Sequence, residues 1–319
     1  MTAAPATSAL ALATRDLRKR YGDRTALSGL DLSVPTGVVY GFLGPNGAGK
    51  TTTMRILTGL IHPDSGQVEV LGRPFGRGDR KRLFEVGALV ESPSFYPFLS
   101  ARENLRALGA AGARTTRARI EELLTLVGLL DRADDRVSGY SLGMKQRLGI
   151  AGSLLSDPRL LLLDEPANGL DPAGIVAMRD TLRRLAAAGK TVFVSSHILG
   201  EVQQLADVVG IIANGRLVRE GPIETLLASS GVVRVRIEAA EVATAVAAVE
   251  ALAGSGSVDR VDEPDGTWLN IRFTPEKSAE VNRALGRAGV FASRIDTGTD
   301  LESLFLELTG PAADGGAPA

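Results

Sequence analysis

Across 319 residues there is no cysteine, there are two histidines, and aromatic residues make up 4%. Without cysteine, disulfides and thiolate metal sites are excluded, which is compatible with a reducing cytosol. An excess of charge of one sign is missing too, since 36 Lys and Arg against 37 Asp and Glu leave a formal net charge of −1. Counterion release from a nucleic acid needs clustered positive charge, and no long basic block supplies it, so no nucleic-acid partner is expected. No apolar stretch approaches the roughly 18 to 20 residues that span a bilayer, and Met1 to Ser8 has neither the basic nor the apolar region of a signal peptide. The chain is therefore expected not to cross a membrane by itself. Apolar content is plentiful: 44% hydrophobic residues at this length suit about two domains with sizeable cores.

The most informative stretch is GPNGAGKT, from Gly44 to Thr51. It follows the apolar run Val38 to Leu43 and precedes the helix-like stretch Thr52 to Gly59. A strand, a glycine loop of this spacing and a helix form a phosphate-binding loop, in which backbone N–H groups and the helix N-terminus converge on an anion. Gly44, Pro45, Asn46, Gly47, Ala48, Gly49, Lys50, Thr51 and Thr52 are the candidate nucleotide-holding residues. Lys50 is expected to reach the β- and γ-phosphates and the Thr51 hydroxyl to hold Mg²⁺.

Around this loop the pattern is α/β. Ala9 to Lys19 and Thr25 to Val34 read as strands about a turn at Gly22-Asp23, with Tyr21 beside it, and Val68 to Leu71 and Val86 to Val90 as further strands. Ser100-x-x-Glu103 is a capping box opening a helix over Ala101 to Ala111, and Thr116 to Val127 has helical apolar spacing, so about 100–156 reads as a helical subdomain. Leu160 to Leu163 and Thr191 to Ser195 have the fully apolar form of strands buried in a parallel sheet. Pro172 starts a helix to about Ala188, Ile198 to Ala206 is another, and Val208 to Ala213 is a strand. Beyond Gly231 the rhythm becomes β-α-β-β-α-β, from Val232 to a strand over Phe291 to Asp296, which is a ferredoxin-like order. A helix over Leu301 to Thr309 is expected to follow. The expected divisions are a disordered 1–8, a nucleotide-binding domain over 9–230, an accessory domain over 231–310 and a flexible tail over 311–319.

A magnesium nucleotide needs an acidic partner, and Leu160-Leu161-Leu162-Leu163-Asp164-Glu165 supplies one. Asp164 falls at the carboxyl end of a buried strand, where open α/β sheets bind ligands, and the adjacent Glu165 is free to polarise a water. By themselves Tyr21 reads as packing, Ser141 as a plain helix cap, and His197 as a polar strand end, while His62 reads as surface.

Taken together, Gly44 to Thr51, Tyr140-Ser141-Leu142-Gly143-Met144-Lys145-Gln146-Arg147, Leu160 to Pro166, Asn168-Gly169-Leu170-Asp171 and His197 resemble the ATP-binding subunit of ABC transporters over about Leu10 to Leu226. The resemblance implies a P-loop NTPase fold of the ABC type with a helical subdomain, followed here by a small C-terminal α+β domain. It implies ATP and Mg²⁺ as cofactors, with Asp164 and Thr51 on the metal, Glu165 and His197 catalytic, and Tyr21 stacked on adenine. Ser141 and Gly143 match the signature loop that contacts the γ-phosphate of an opposite subunit, and Asp171 matches the loop linking the two sites.

Leu142 stands where the family signature usually has glycine, and Met144 where it often has glutamine. Glu91 stands where most members have a glutamine that senses Mg²⁺ and contacts the membrane subunit. A carboxylate can ligate Mg²⁺ at least as well, so Glu91 joins Thr51 and Asp164 as an expected metal ligand, but it adds negative charge near Asp164 and Glu165, which either the metal offsets or a raised pKa relieves. Glu91 in Val90-Glu91-Ser92-Pro93-Ser94-Phe95-Tyr96-Pro97 is similar to the bacitracin and lantibiotic export branch. The implied partners are a second ATPase subunit, a homodimer in preference to a heterodimer, and a separately encoded permease. That places the chain in the cytoplasm at the inner face of the membrane. The rival readings are a non-transport ABC ATPase acting on DNA or ribosomes, which would be expected to carry a heptad insertion or tandem P-loops, and a regulatory ATPase.

Overall fold

The computed structural model describes residues 9–76, 78–110, 115–229, 232–263, 266–273 and 277–298, with Leu301, Leu304, Phe305 and Leu308 besides. The segments 1–8 and 311–319, and much of the helix expected over Leu301 to Thr309, lie outside the described residues. Two compact units divide at Pro222 and Ile223, ahead of the change of rhythm at Gly231.

In the first unit, β1 (Leu10–Tyr21) and β2 (Arg24–Pro35) form a hairpin that closes with Tyr21 opposite Arg24. Next come β3 (Val39–Leu43) and α1 (Lys50–Leu57), then the strands β4 (Ser65–Val70) and β5 (Arg73–Pro74). β2, β1, β4 and β5 make an antiparallel sheet in that order. After β6 (Val86–Leu89) the chain forms the helices α2 (Ala101–Ala110), α3 (Arg117–Leu126) and α4 (Leu142–Ser153). The capping box at the start of α2 is made in full: Ser100 N donates to Glu103 Oε2 at 2.8 Å, and Glu103 N donates to Ser100 Oγ at 3.2 Å.

The chain then returns to the sheet with β7 (Leu160–Asp164), α5 (Pro172–Ala187), β8 (Thr191–Ser196), α6 (Leu199–Gln203), β9 (Val208–Ala213) and β10 (Arg216–Pro222). The sheet order is β10-β9-β3-β8-β7-β6, parallel except for the antiparallel edge strand β10. Continuous apolar runs fit because both faces are covered. Along β7, Leu160 and Leu162 pack into the cluster that holds Met54 and Leu57 of α1, whereas Leu161 and Leu163 pack into the cluster that holds Leu148 of α4 and Leu182 of α5. On β8, Phe193 stacks on Tyr40 of β3 with ring centroids 5.2 Å apart. Leu43 pairs with Ser196, and Asp164 with Ser195, so the carboxyl ends of β3, β7 and β8 share one edge. The helix expected over Ile198 to Ala206 is shorter, because the chain turns after Gln203 to bury Leu205 and Ala206 ahead of β9.

The second unit contains α7 (Ile223–Ser229), β11 (Val232–Ile237), α8 (Val242–Ala253), β12 (Val258–Glu263), β13 (Gly266–Arg272), α9 (Ser278–Arg287) and β14 (Arg294–Gly298). Its antiparallel sheet has the order β12-β13-β11-β14. Val233, Val235 and Ile237 alternate inward against Val249 of α8 and Leu285 of α9. β14 begins at Arg294 and not at Phe291: Val290 is buried as the chain leaves α9, Phe291 is 78% exposed, and pairing starts where Arg294 meets Arg236.

Candidate functional site

The phosphate loop owes its shape to two glycines. Gly47 and Gly49 have φ of +83° and +113°, a region other residues rarely adopt. A Cβ on Gly49 would also lie 2.7 Å from the Ala26 carbonyl oxygen, so the loop lies directly against β2. Gly49 is the N-cap of α1, whose first residue is Lys50. The Lys50 side chain is 6% exposed; its Nζ donates to the Gly44 carbonyl at 2.7 Å and lies 3.5 Å from Glu165 Oε1.

The acidic side of the site is built by β7 and β8. Asp164 is 4% exposed and accepts a hydrogen bond of 2.5 Å from Ser195 Oγ. The backbone of Glu165 turns into the left-handed region, φ +48°, and its N–H donates to Ser195 Oγ at 3.0 Å. That turn separates the two neighbouring acids. Asp164 stays behind the loop, while Glu165 points Oε1 at Lys50 and places Oε2 2.8 Å from His197 Nδ1.

These groups meet in a cavity of about 620 Å³ lined by Tyr21, Arg24, Ala26, Pro45, Asn46, Gly47, Gly49, Lys50, Thr51, Thr52, Arg55, Glu165, Asn168 and His197. Of the residues singled out in the sequence, Gly44, Ala48 and Asp164 do not line this cavity; Gly44 and Asp164 support it by accepting hydrogen bonds from Lys50 and Ser195. Tyr21 is 44% exposed at its mouth, with Lys19 Nζ 5.6 Å from the ring centroid. The lining adds Arg24, Ala26, Arg55 and Asn168, and Ser195 joins from behind. Arg55 carried a readable signal, four residues after Thr51 on one helix face. Ser195 carried none, because its partners come from another strand.

Ser141, Gly143, Asp171 and Glu91 are not among the lining residues. Ser141 and Asp171 cap their own helices: Met144 N donates to Ser141 Oγ at 3.2 Å, and Gly174 N donates to Asp171 Oδ1 at 2.9 Å. Leu142, 54% exposed, lies over Gly169, where a Cβ would be 2.1 Å from Leu142 Cδ2.

The exposed Glu91 carboxylate is ion-paired with the Arg55 guanidinium, whose own pKa is pushed up, chiefly by that hydrogen bond.

A group that the sequence did not reveal is Glu201. Burial, aided by the Glu165 charge, raises its carboxyl above the ordinary value, and His197 partly counteracts this. A larger cleft of about 700 Å³, lined by Arg147, Arg183 and Arg184 among others, holds none of the expected catalytic residues.

For Mg²⁺, the Thr51 hydroxyl and the Asp164 carboxylate are hard oxygen donors of the right chemistry. Among the described residues no three His, Asp or Glu side chains form a metal cage. Mg²⁺ ordinarily takes one or two protein oxygens and completes its shell with phosphate and water.

The sequence model of the family described as "ABC transporter" matches residues 27–168, which carry the phosphate loop, the signature and the Asp164-Glu165 pair. A bacitracin transport ATP-binding protein of Bacillus licheniformis is 49% identical over 214 residues, 67% of this chain and 70% of that one. The chain belongs to the ABC transporter ATP-binding proteins. A second such relative, the bacitracin transport ATP-binding protein of Enterococcus faecalis, is 38% identical over 299 residues, 93% of this chain and 96% of the other, and so extends through the second unit. A solved structure of an ATP-binding subunit of an ABC transporter, 30% identical, superposes with a TM-score of 0.61 over 67% of this chain and 91% of that one. As an ABC ATPase the chain hydrolyses ATP to drive transport. Among its described residues no helix is long and apolar enough to cross a membrane.

Proposed function

We propose that this ABC ATPase works as one of two copies that close around two Mg·ATP and drive a separately encoded permease exporting an antibiotic or peptide-like compound. The observation that carries the proposal is the convergence of Lys50, Glu165 and His197 on one cavity whose lining includes nothing from the signature segment 140–147. A nucleotide seated there is held from one side by the loop Gly44 to Thr51. A second copy completes the site with Ser141 and Gly143, at the N-terminus of α4, where free N–H groups favour an anion. Thr51 and Asp164 would hold Mg²⁺, which supplies charge neutralisation of the phosphoryl oxygens.

Within the chain, Glu165 orients and polarises the attacking water. His197 fixes the Glu165 carboxylate through Nδ1, and Lys50 balances its charge. The bacitracin relatives support the export branch. The exposed rings of Tyr96 and Phe98, 5.8 Å apart and close in sequence to Glu91, supply an apolar face for the permease at the inner side of the membrane.

Glu165→Gln tests this reading. The variant is expected to bind ATP, to lose at least about 100-fold in hydrolysis, and to run at twice the mass of the free chain on gel filtration with ATP. Normal turnover would remove Glu165 from the mechanism. A chain that stays single with ATP bound would remove the closed pair.

A further inference from the structure

ATP chemistry leaves one charged pair unused. Arg55 lies on α1 one turn beyond Thr51 and lines the nucleotide cavity together with Tyr21 and Lys50, yet its guanidinium is engaged by Glu91, which lies outside that lining. Arg55 shares the lining with Tyr21 and pairs with Glu91, so it stands between the cavity and the loop that begins at Glu91. Glu91 has φ +66°, a left-handed backbone that a residue with a side chain rarely adopts. Local preference does not place Glu91 there; the contact with Arg55 helps hold it.

We infer that Arg55 is a positioning residue shared between the nucleotide and Glu91, and that their pair sets how strongly ATP binding depends on Mg²⁺. This rests on the reading of the cavity as the ATP site. With Glu91 engaged, the guanidinium is drawn away from an anion in the cavity. Metal-free ATP, which carries more negative charge than its Mg²⁺ complex, loses most by this. The pair therefore penalises nucleotide without its metal.

Both side chains are about half exposed, at 41% and 54%, so water and salt screen the effect and several-fold changes are the scale. Titrating full-length protein with ATP in excess EDTA, and separately with Mg·ATP, tests it in the wild type, Glu91→Gln, Arg55→Gln and the double variant. Glu91→Gln is expected to tighten metal-free ATP about threefold to fivefold when Arg55 is present, and less than about twofold when position 55 is Gln. The gain should shrink with Mg·ATP and at high salt. An equal effect of Glu91→Gln in both backgrounds, or no effect in either, overturns the shared role of Arg55. A wild-type protein that binds no ATP at all overturns the site itself, so the two failures are distinct.

Discussion

Glu165 and Glu201 lie far apart in sequence yet share a field, and only one of them was visible beforehand. Lys50, Thr51, Asp164 and Glu165 were legible because each stands in a short string whose chemistry is local to it, whereas His197 was legible only through the family resemblance. Ser195 and Glu201 were not, since their roles arise from partners brought close by folding: Ser195 bonds Asp164 across two strands. Arg55 was readable as a neighbour of Thr51 on one helix face, but its pairing with Glu91 was not. Glu201 also carries a pH consequence. Its carboxyl is held above 4.5, chiefly by burial, so the folded chain keeps that proton to higher pH than the unfolded chain does. The stability this gives is complete below the unfolded value and is lost as pH rises through the folded one. Glu201→Gln stays neutral throughout. It is expected to melt at a higher temperature than the wild type at about pH 8 and to lose that advantage near about pH 4, as thermal unfolding at both values would register. An advantage equal at both would assign the effect to packing.

Among the elements, α4 and α5 begin on side chains that the family resemblance had assigned to a neighbouring subunit. Ser141 and Asp171 each accept a hydrogen bond from the third residue along their own helix. Asp171→Ala is therefore expected to cost about 1 kcal/mol in urea unfolding of the free chain, with Asp171→Asn recovering most of it. A free chain unaffected by Asp171→Ala would leave the aspartate with only an intermolecular role. β7 and β8 were readable because burial on both faces writes an unbroken apolar run into the sequence. The sequence carries no sign of β5, two residues long, since Arg73-Pro74 has no strand pattern; it pairs with β4. β14 was placed too early because Phe291 and Ala292 look like strand residues, but Phe291 faces solvent.

For the whole molecule, the sequence foretold a change of architecture near Gly231, whereas the two units part at Pro222. The helix α7, Ile223–Ser229, falls in the second unit, ahead of the strand pattern that opens at Val232. A fragment ending at Pro222 is accordingly expected to fold and to bind ATP with the affinity of the full chain in calorimetric titration. A large loss of affinity would put part of the site beyond that point. The pairing of β7 with β8, Leu160 opposite Thr191 through Asp164 opposite Ser195, also bears on how this chain tolerates gains and losses of residues. Adding or deleting one residue between Leu160 and Leu163 would turn the Asp164 carboxylate toward the opposite face of the sheet, away from Ser195 and the α1 side. The spacing of β7 is fixed to the residue, and any working descendant of this chain must keep it.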